Sequence, residues 1–86
     1  MDDYSINFAR SARKELAALP ESVVQRILPR VEALARAPRP SGCRKLTGQR
    51  DLWRLRVGDY RVIYSIDDSN GIIDVNAVRH RRDAYL

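Results

Sequence analysis

The residues best suited to chemistry in this chain are arginines on a predicted β-hairpin, residues 52–64. Gly58-Asp59 suits a two-residue type II′ turn, which needs glycine at its first central position. That turn sets Arg56 opposite Arg61, and Arg54 falls on the same face because side chains alternate along a strand. Like charges that face each other across strands destabilise a sheet. The pair therefore indicates either a functional surface or two side chains splayed into water.

The opposite face of the same hairpin is apolar and is predicted to be core. Its members alternate with the arginines: Trp53, Leu55, Val57, Tyr60, Val62 and Tyr64. We interpret the three aromatic residues among them as packing residues and not as platforms for nucleic-acid bases.

Composition places the chain among small basic domains. It has 86 residues, a formal net charge of +5 and an isoelectric point of about 10.0. We expect one domain over residues 1–86 with a modest core. Two of the sixteen Lys and Arg residues are lysine, Lys14 and Lys45, and the rest are arginine. Arginine offers a planar fork that matches phosphate, so the composition favours nucleic acid or an acidic protein as partner.

Several classes of protein are disfavoured by what the sequence does not contain. Cys43 is the single cysteine, so no internal disulfide can form. No apolar run approaches the ~20 residues of a membrane span, and residues 1–4 lack the apolar segment of a signal peptide. We therefore expect a cytoplasmic protein without membrane association. No cluster of carboxylates, set of Cys/His ligands or Gly-rich phosphate loop is present, so we expect no metal and no cofactor.

Periodicity predicts an α+β fold with an N-terminal strand, a two-helix hairpin and a three-stranded antiparallel meander. Residues 4–8 alternate as a short strand, and residues 9–19 carry apolar side chains at helical spacing. Pro20 suits the first position of a second helix, which Pro29 is expected to kink without ending. We expect both helices to pack on one face of a single antiparallel sheet.

The last strand, Ile72–Val78, is nearly all apolar and is predicted to be central in the sheet. If Ile66 pairs with Ile72, Arg79 lies just beyond the end of the strand, on the face of Arg56 and Arg61. The same pairing places Ile63, Ile73 and Val75 on that face, where they would need a cover.

The arginines predict an anion site with Tyr85 close by in sequence. Arg54, Arg56, Arg61 and Arg79 would hold phosphate by charge-assisted hydrogen bonds, and Tyr85 would stack on a base. A preorganised cluster of cations stabilises the extra charge of a phosphorane, and RNA supplies its own 2′-hydroxyl nucleophile. Metal-free RNA cleavage therefore fits these residues, although most basic patches bind and do not cut.

Two stretches resemble the RelE branch of the RelE/ParE toxin superfamily: residues 52–64 preceded by Lys45-Leu46, and residues 78–85, Val-Arg-His-Arg-Arg-Asp-Ala-Tyr. The order of elements resembles that family over essentially the whole chain. The resemblance implies a toxin that cleaves mRNA in the ribosomal A site, leaving a 2′,3′-cyclic phosphate and a 5′-hydroxyl. It also implies a RelB-like antitoxin as partner. ParE-like inhibitors of DNA gyrase share the scaffold and are the alternative; an RNA-binding module without catalysis is the third possibility.

The resemblance also implies roles for single residues. Arg54 and Arg56 fall where RelE-like toxins have basic strand residues, often lysine, and Arg61 falls on the basic residue after the turn. Arg79 takes the place of the leaving-group acid or phosphate clamp, and Tyr85 that of the aromatic which orients the base. The weaker substrate contacts are Lys45, His80, Arg81 and Arg82.

The proton acceptor is the open point of this assignment. An arginine almost never deprotonates, so Arg56 cannot serve as the general base that a lysine could be. His80, ribosomal RNA or water remain as acceptors of the 2′-hydroxyl proton.

Overall fold

The computed structural model describes residues 3–46, 48 and 51–82 and confirms the α+β fold, with two helices on a sheet. The elements in chain order are β1 Ser5–Phe8, α1 Arg10–Ala17, α2 Glu21–Ala33, β2 Arg44–Lys45, β3 Leu52–Val57, β4 Tyr60–Asp67 and β5 Ile72–His80. The strands form one sheet in the order β1-β5-β4-β3-β2. The last strand, predicted to be central, lies inside the sheet between β1 and β4, and β4 is the middle strand. No helix in the described ranges is long and apolar enough to cross a membrane.

The expected all-antiparallel sheet is wrong at β1, which runs parallel to β5 with Ser5 opposite Ile72 and Phe8 opposite Val75. Alternation within β1 identified a strand, but a strand of four residues carries no signal for its partner or direction. The sheet also gains an edge strand that the sequence did not indicate, because Arg44–Lys45 pairs with β3.

The two helices form the predicted hairpin with boundaries shifted by one or two residues. α1 ends at Ala17, short of the predicted residue 19, because the residue before a proline is disfavoured in helical conformation. Pro20 is the N-cap of α2 and not its first helical residue. α2 continues through Pro29 to Ala33, as predicted.

The β3–β4 hairpin has the predicted register from Val57–Tyr60 to Trp53–Tyr64, including Arg56 opposite Arg61. Gly58 has a φ of +60°, and Asp51 is the one non-glycine with positive φ in the described part of the chain. Asp59 therefore has negative φ, which makes the turn type II′ and explains why glycine is needed at its first position.

The predicted register of β5 is wrong by one residue beside the β4–β5 turn and by two residues beyond a β-bulge. Ile66 pairs with Ile73 and Ile63 with Ala77, so Asn76 is the extra residue between Val75 and Ala77. A bulge reverses the alternation of side chains on its strand. Because of the shift beside the turn, Ile73 and Val75 lie in the core, fully buried against the helices, and need no cover on the arginine face. The bulge then returns Arg79 to the arginine face.

The core lies between the helices and one face of the sheet. Helix side chains pack there with residues from β3, β4 and β5; the buried members are Ala12, Ile27, Val31, Leu34, Leu55, Val57, Val62, Tyr64, Ile73, Val75 and Val78. The other face of the sheet carries the arginines.

Candidate functional site

An open cavity of about 690 Å³ lies on the sheet face opposite the helices. We call it the arginine pocket; its lining is Gly42, Arg44, Arg54, Arg56, Gly58 and Arg61. Arg44 pairs with Arg54 and Arg56 pairs with Arg61, so these side chains share one face by register. Three strands thus bring four cations together in a space large enough for a phosphate group and part of a nucleotide.

Arg61 forms the buried part of this pocket. It is 7% exposed, and its Nε and Nη1 atoms have no hydrogen-bond partner among the described residues. Buried polar nitrogen atoms without partners cost free energy, and a buried guanidinium costs more because it is charged. Such an arrangement is suited to an anion that would supply the missing acceptors.

Arg79 lies within β5, next to Arg61 in the sheet. The sequence had placed it just beyond the end of the strand. The register sets Arg56, Arg61 and Arg79 in one cross-strand row on β3, β4 and β5. Neighbouring strands lie about 4.8 Å apart, so the row extends the basic surface across the sheet.

The guanidinium of Arg79 is drawn to Glu15 of α1 and does not line the arginine pocket. Arg79 Nε donates to Glu15 Oε2 at 3.1 Å. Both side chains also line a second cavity of about 440 Å³ between the end of α1 and the ends of β4 and β5, which we call the edge cavity. The structure therefore brings Arg54, Arg56 and Arg61 together and holds Arg79 beside them on a carboxylate.

His80 lies beyond the predicted strand Ile72–Val78, but in the structure it is the last residue of β5 and is partly buried. It pairs with Tyr60, and the two rings meet edge to face with centroids 5.2 Å apart. His80 Nδ1 accepts the Arg82 backbone N–H at 3.3 Å. His80 follows Arg79 in the strand, so it points to the helix side and lines the edge cavity.

Lys45, Arg81 and Arg82, predicted as the weaker substrate contacts, do not line the arginine pocket. Lys45 pairs with Trp53, so its side chain lies on the sheet face opposite Arg44. Arg81 and Arg82 are exposed after β5, and the Arg81 backbone N–H donates to Asp59 O at 2.7 Å, which fixes the chain beside the hairpin turn. Tyr85 lies outside the described residues.

The connection between α2 and β2, residues 34–43, is held by side chains at the far end of the sheet. Tyr64 Oη donates to Pro38 O at 2.8 Å, and burial raises the pKa of this phenol. The Arg39 guanidinium lies 5.1 Å from the centre of the Trp53 ring. These contacts position the segment that delivers Gly42 and Arg44 to the arginine pocket.

Arg39 also belongs to a three-residue contact that we call the clasp. Arg39 Nη2 lies 2.9 Å from Asp68 Oδ2, and Tyr4 Oη donates to Asp68 Oδ1 at 2.6 Å. These bonds, led by Arg39, lower the pKa of Asp68, and the same contact with Asp68 raises the pKa values of Arg39 and Tyr4. The clasp joins the residue before β1, the α2–β2 connection and the β4–β5 turn.

Comparison with known proteins assigns the chain to a family. The family described as "ParE toxin of type II toxin-antitoxin system, parDE" matches residues 6–85. The chain belongs to the RelE/ParE superfamily of toxins. Toxin RelG of Mycobacterium tuberculosis is a RelE/ParE relative with 31% identity over 86 residues, covering 95% of each chain.

Solved structures of RelE/ParE proteins share the fold. The archaeal RelE-RelB complex from Pyrococcus horikoshii matches with a TM-score of 0.82 and 32% identity, over 95% of this chain and 99% of that one. The toxin–antitoxin complex RelBE2 from Mycobacterium tuberculosis matches with a TM-score of 0.80 and 27% identity, over 92% and 99%. The likeness extends over nearly the whole of these toxins.

Sequence reasoning missed two residues of this RelE/ParE site. Arg44 precedes the hairpin on a two-residue edge strand, and the one available signal was its position beside Lys45 in a basic stretch. Glu15 lies 64 residues from Arg79, and nothing in the helical pattern of α1 distinguishes it from an ordinary solvent-facing acid.

Proposed function

We propose that this toxin is a ribosome-dependent endoribonuclease that cleaves mRNA through the 2′-hydroxyl of the RNA. The observation that carries the proposal is the buried Arg61 guanidinium, whose Nε and Nη1 lack partners among the described residues in a pocket formed with Arg44, Arg54 and Arg56. A phosphodiester would supply the missing acceptors by charge-assisted hydrogen bonds.

The proposed reaction leaves little covalent work for the protein. The 2′-oxygen attacks phosphorus while its proton passes to a base, the bond to the 5′-oxygen breaks, and that oxygen takes up a proton. The products are a 2′,3′-cyclic phosphate and a 5′-hydroxyl. Arg54, Arg56 and Arg61 bracket the phosphate. Because negative charge on the phosphate increases in the transition state, these arginines stabilise the transition state more than the ground state.

Arg79 and Tyr85 keep the roles assigned from the sequence. Arg79 faces the departing 5′-oxygen, and Tyr85 orients the base. The placement of His80 on the opposite face from Arg61 supports ribosomal RNA or water as the proton acceptor. Arginine cannot take that role because its guanidinium stays protonated.

The proposed partners follow from the toxin family and the charge of the chain. Relatives crystallise as RelE-RelB complexes, and we assign this toxin a RelB-like antitoxin that covers the basic sheet face. A net charge of +5 favours an acidic or amphipathic segment for that contact. The ribosome as target requires action in the cytoplasm.

Pulse-labelling after induction of the toxin without antitoxin tests the target. Incorporation of amino acids should fall before incorporation of thymidine, because mRNA cleavage stops translation directly. The variant Arg61→Ala should relieve the arrest, and its folded state is checked by circular dichroism. An immediate fall in thymidine incorporation or a change in plasmid supercoiling would instead support inhibition of gyrase.

A further inference from the structure

Glu15 contacts two consecutive residues of β5 with its two carboxylate oxygens. Oε1 accepts the Val78 backbone N–H at 2.9 Å, and Oε2 accepts Arg79 Nε–H at 3.1 Å. β1 pairs with β5 only as far as Phe8 opposite Val75. Beyond that point the side chain of Glu15 occupies the edge of β5 that β1 leaves open.

The contact fixes Arg79 through one side of its guanidinium group. The hydrogen bond uses Nε, and the two terminal nitrogens donate to no other residue in the described ranges. These nitrogens form the part of the fork that grips phosphate oxygens in pairs. The Arg79 side chain is 40% exposed, so this part is accessible to a ligand.

Without Glu15, the Arg79 side chain would be repelled from its position in the row of arginines. It lies opposite Arg61, which is itself opposite Arg56, and like charges across strands repel. A long side chain also has many rotamers to lose on ordering. The negative charge of Glu15 offsets the repulsion and restricts the rotamers before any substrate arrives.

We propose that Glu15 is a positioning residue for Arg79, which it holds beside the arginine pocket with the terminal guanidinium nitrogens available to the departing 5′-oxygen, without touching the substrate itself. This inference rests on the proposed function. It predicts that the effect of Glu15 on cleavage passes through Arg79 and disappears when Arg79 is removed.

Glu15→Gln separates this positioning role from the role of Glu15 as the hydrogen-bond acceptor for the Val78 N–H at the open edge of β5. A carboxamide retains one oxygen, which can still accept the Val78 N–H, while its NH₂ group would face the Arg79 Nε–H, and two donors cannot bond. The fold of the variant should survive because the hydrogen bond to the Val78 backbone N–H remains. Glu32→Gln, an exposed glutamate on α2, is the matched control for loss of one negative charge.

Single-turnover cleavage on programmed ribosomes tests the inference with four proteins: wild type, Glu15→Gln, Arg79→Ala and the double variant. Glu15→Gln should slow the cleavage step by about 10- to 100-fold, the range expected when a reacting group is misplaced. The ribosome concentration at half-maximal rate should change little. The double variant should be no slower than Arg79→Ala, and Glu32→Gln should match wild type.

The Arg79 Nε–H resonance gives a readout that does not depend on activity. In wild type it should be a resolved, slowly exchanging NMR signal, and in Glu15→Gln it should exchange with water or shift to the position of an exposed arginine. Equal slowing by Glu15→Gln in both backgrounds, or no slowing, would overturn the inference. A wild-type protein that fails to cleave would instead overturn the proposed function.

Discussion

Arg61 is a side chain that lowers the stability of the free folded protein. Its charged group is buried among other arginines, and two of its nitrogens lack partners in the described part of the chain. An isolated domain gains nothing from that arrangement, whereas a phosphate-binding site does. Buried polar groups without partners are among the features that mark functional sites in otherwise consistent sequences.

Arg61→Met should therefore stabilise the free protein while it weakens anion binding. Methionine has similar length and no polar atoms to leave unsatisfied, so the free energy of unfolding in phosphate-free buffer should rise by about 1–3 kcal/mol. Urea unfolding measures the change. Arg56→Met is the control, because Arg56 is exposed and its replacement should alter stability by less than about 0.5 kcal/mol.

Added inorganic phosphate completes the test of Arg61. It should raise the unfolding midpoint of wild type, because a ligand that binds the native state stabilises it, and should do so less in Arg61→Met. A marked loss of stability in Arg61→Met would contradict the assignment of Arg61 as a buried anion-binding residue with unsatisfied nitrogens.

Some residues of the site could be predicted from the sequence and others could not. The shared face of Arg54, Arg56 and Arg61 followed from the turn and from alternation, and both hold in the structure. Glu15 could not be found, because a contact between a helix and a strand 64 residues apart leaves no local pattern. The roles of these residues in cleavage stay predictions.

At the scale of elements, the β-bulge at Asn76 decides which side chains of β5 enter the core. Ile73 and Val75 lie on the helix side below it, and Val78 lies on the same side above it. The extra residue has a fixed contact, because Ser11 Oγ donates to Asn76 O at 3.0 Å. The bulge thus lets the apolar half of β5 face the helices while Arg79 lies in the row with Arg61, from which its guanidinium reaches Glu15 of α1.

The hairpin register was predictable and the bulge was not, for a physical reason. A two-residue turn admits one register, so Gly58-Asp59 determines every pair between β3 and β4. The run Ile72–Val78 is nearly all apolar, so a slip of one residue leaves no visible break in alternation. The same ambiguity applies to the partner of β1.

Deletion of Asp74 should destabilise the fold much more than deletion of Asn76. Loss of Asn76 removes the extra residue and leaves each β4–β5 pair in place, so Ile73, Val75 and Val78 all stay on the helix side. Loss of Asp74 makes Ile73 and Val75 neighbours in the strand, so one of them must turn away from the helices, at a cost of about 1.5–3 kcal/mol for the side chain removed from the core. Urea unfolding measures both losses, and equal losses would contradict the role given to the bulge.

At the scale of the whole molecule, the clasp ties together segments that are far apart in sequence. Asp68 accepts from Tyr4 and pairs with Arg39, which also lies over Trp53. The clasp is at the end of the sheet away from the hairpin turn, and it steadies the connection that leads to Arg44. We expect it to affect stability more than cleavage.

Because of the clasp, the free energy of unfolding should fall as the pH is lowered into the acid range. The pKa of Asp68 is lowered in the folded state, chiefly by Arg39. Its contribution is therefore present above the unfolded pKa, about 4, and is lost as pH falls through the lower folded value. Asp68→Asn should lower the melting temperature at pH 7 and make its fall below pH about 4 shallower than in wild type. Asp74→Asn, a second exposed aspartate, is the control in the same thermal melts; identical curves for wild type and Asp68→Asn would contradict this prediction.

The central claim is that arginines on the open sheet face promote attack by the 2′-hydroxyl of ribosome-bound mRNA. The most direct measurement is single-turnover cleavage of end-labelled mRNA on programmed ribosomes, with a single 2′-deoxy substitution moved along the A-site codon. One position should abolish cleavage completely while the toxin still binds, and the unmodified mRNA should yield a 2′,3′-cyclic phosphate. On unmodified mRNA, Arg56→Ala should slow the reaction by about 10²–10³-fold, the cost of losing one transition-state donor. Cleavage that persists with every 2′-deoxy position, or no cleavage of ribosome-bound mRNA by the wild-type protein, would contradict the account.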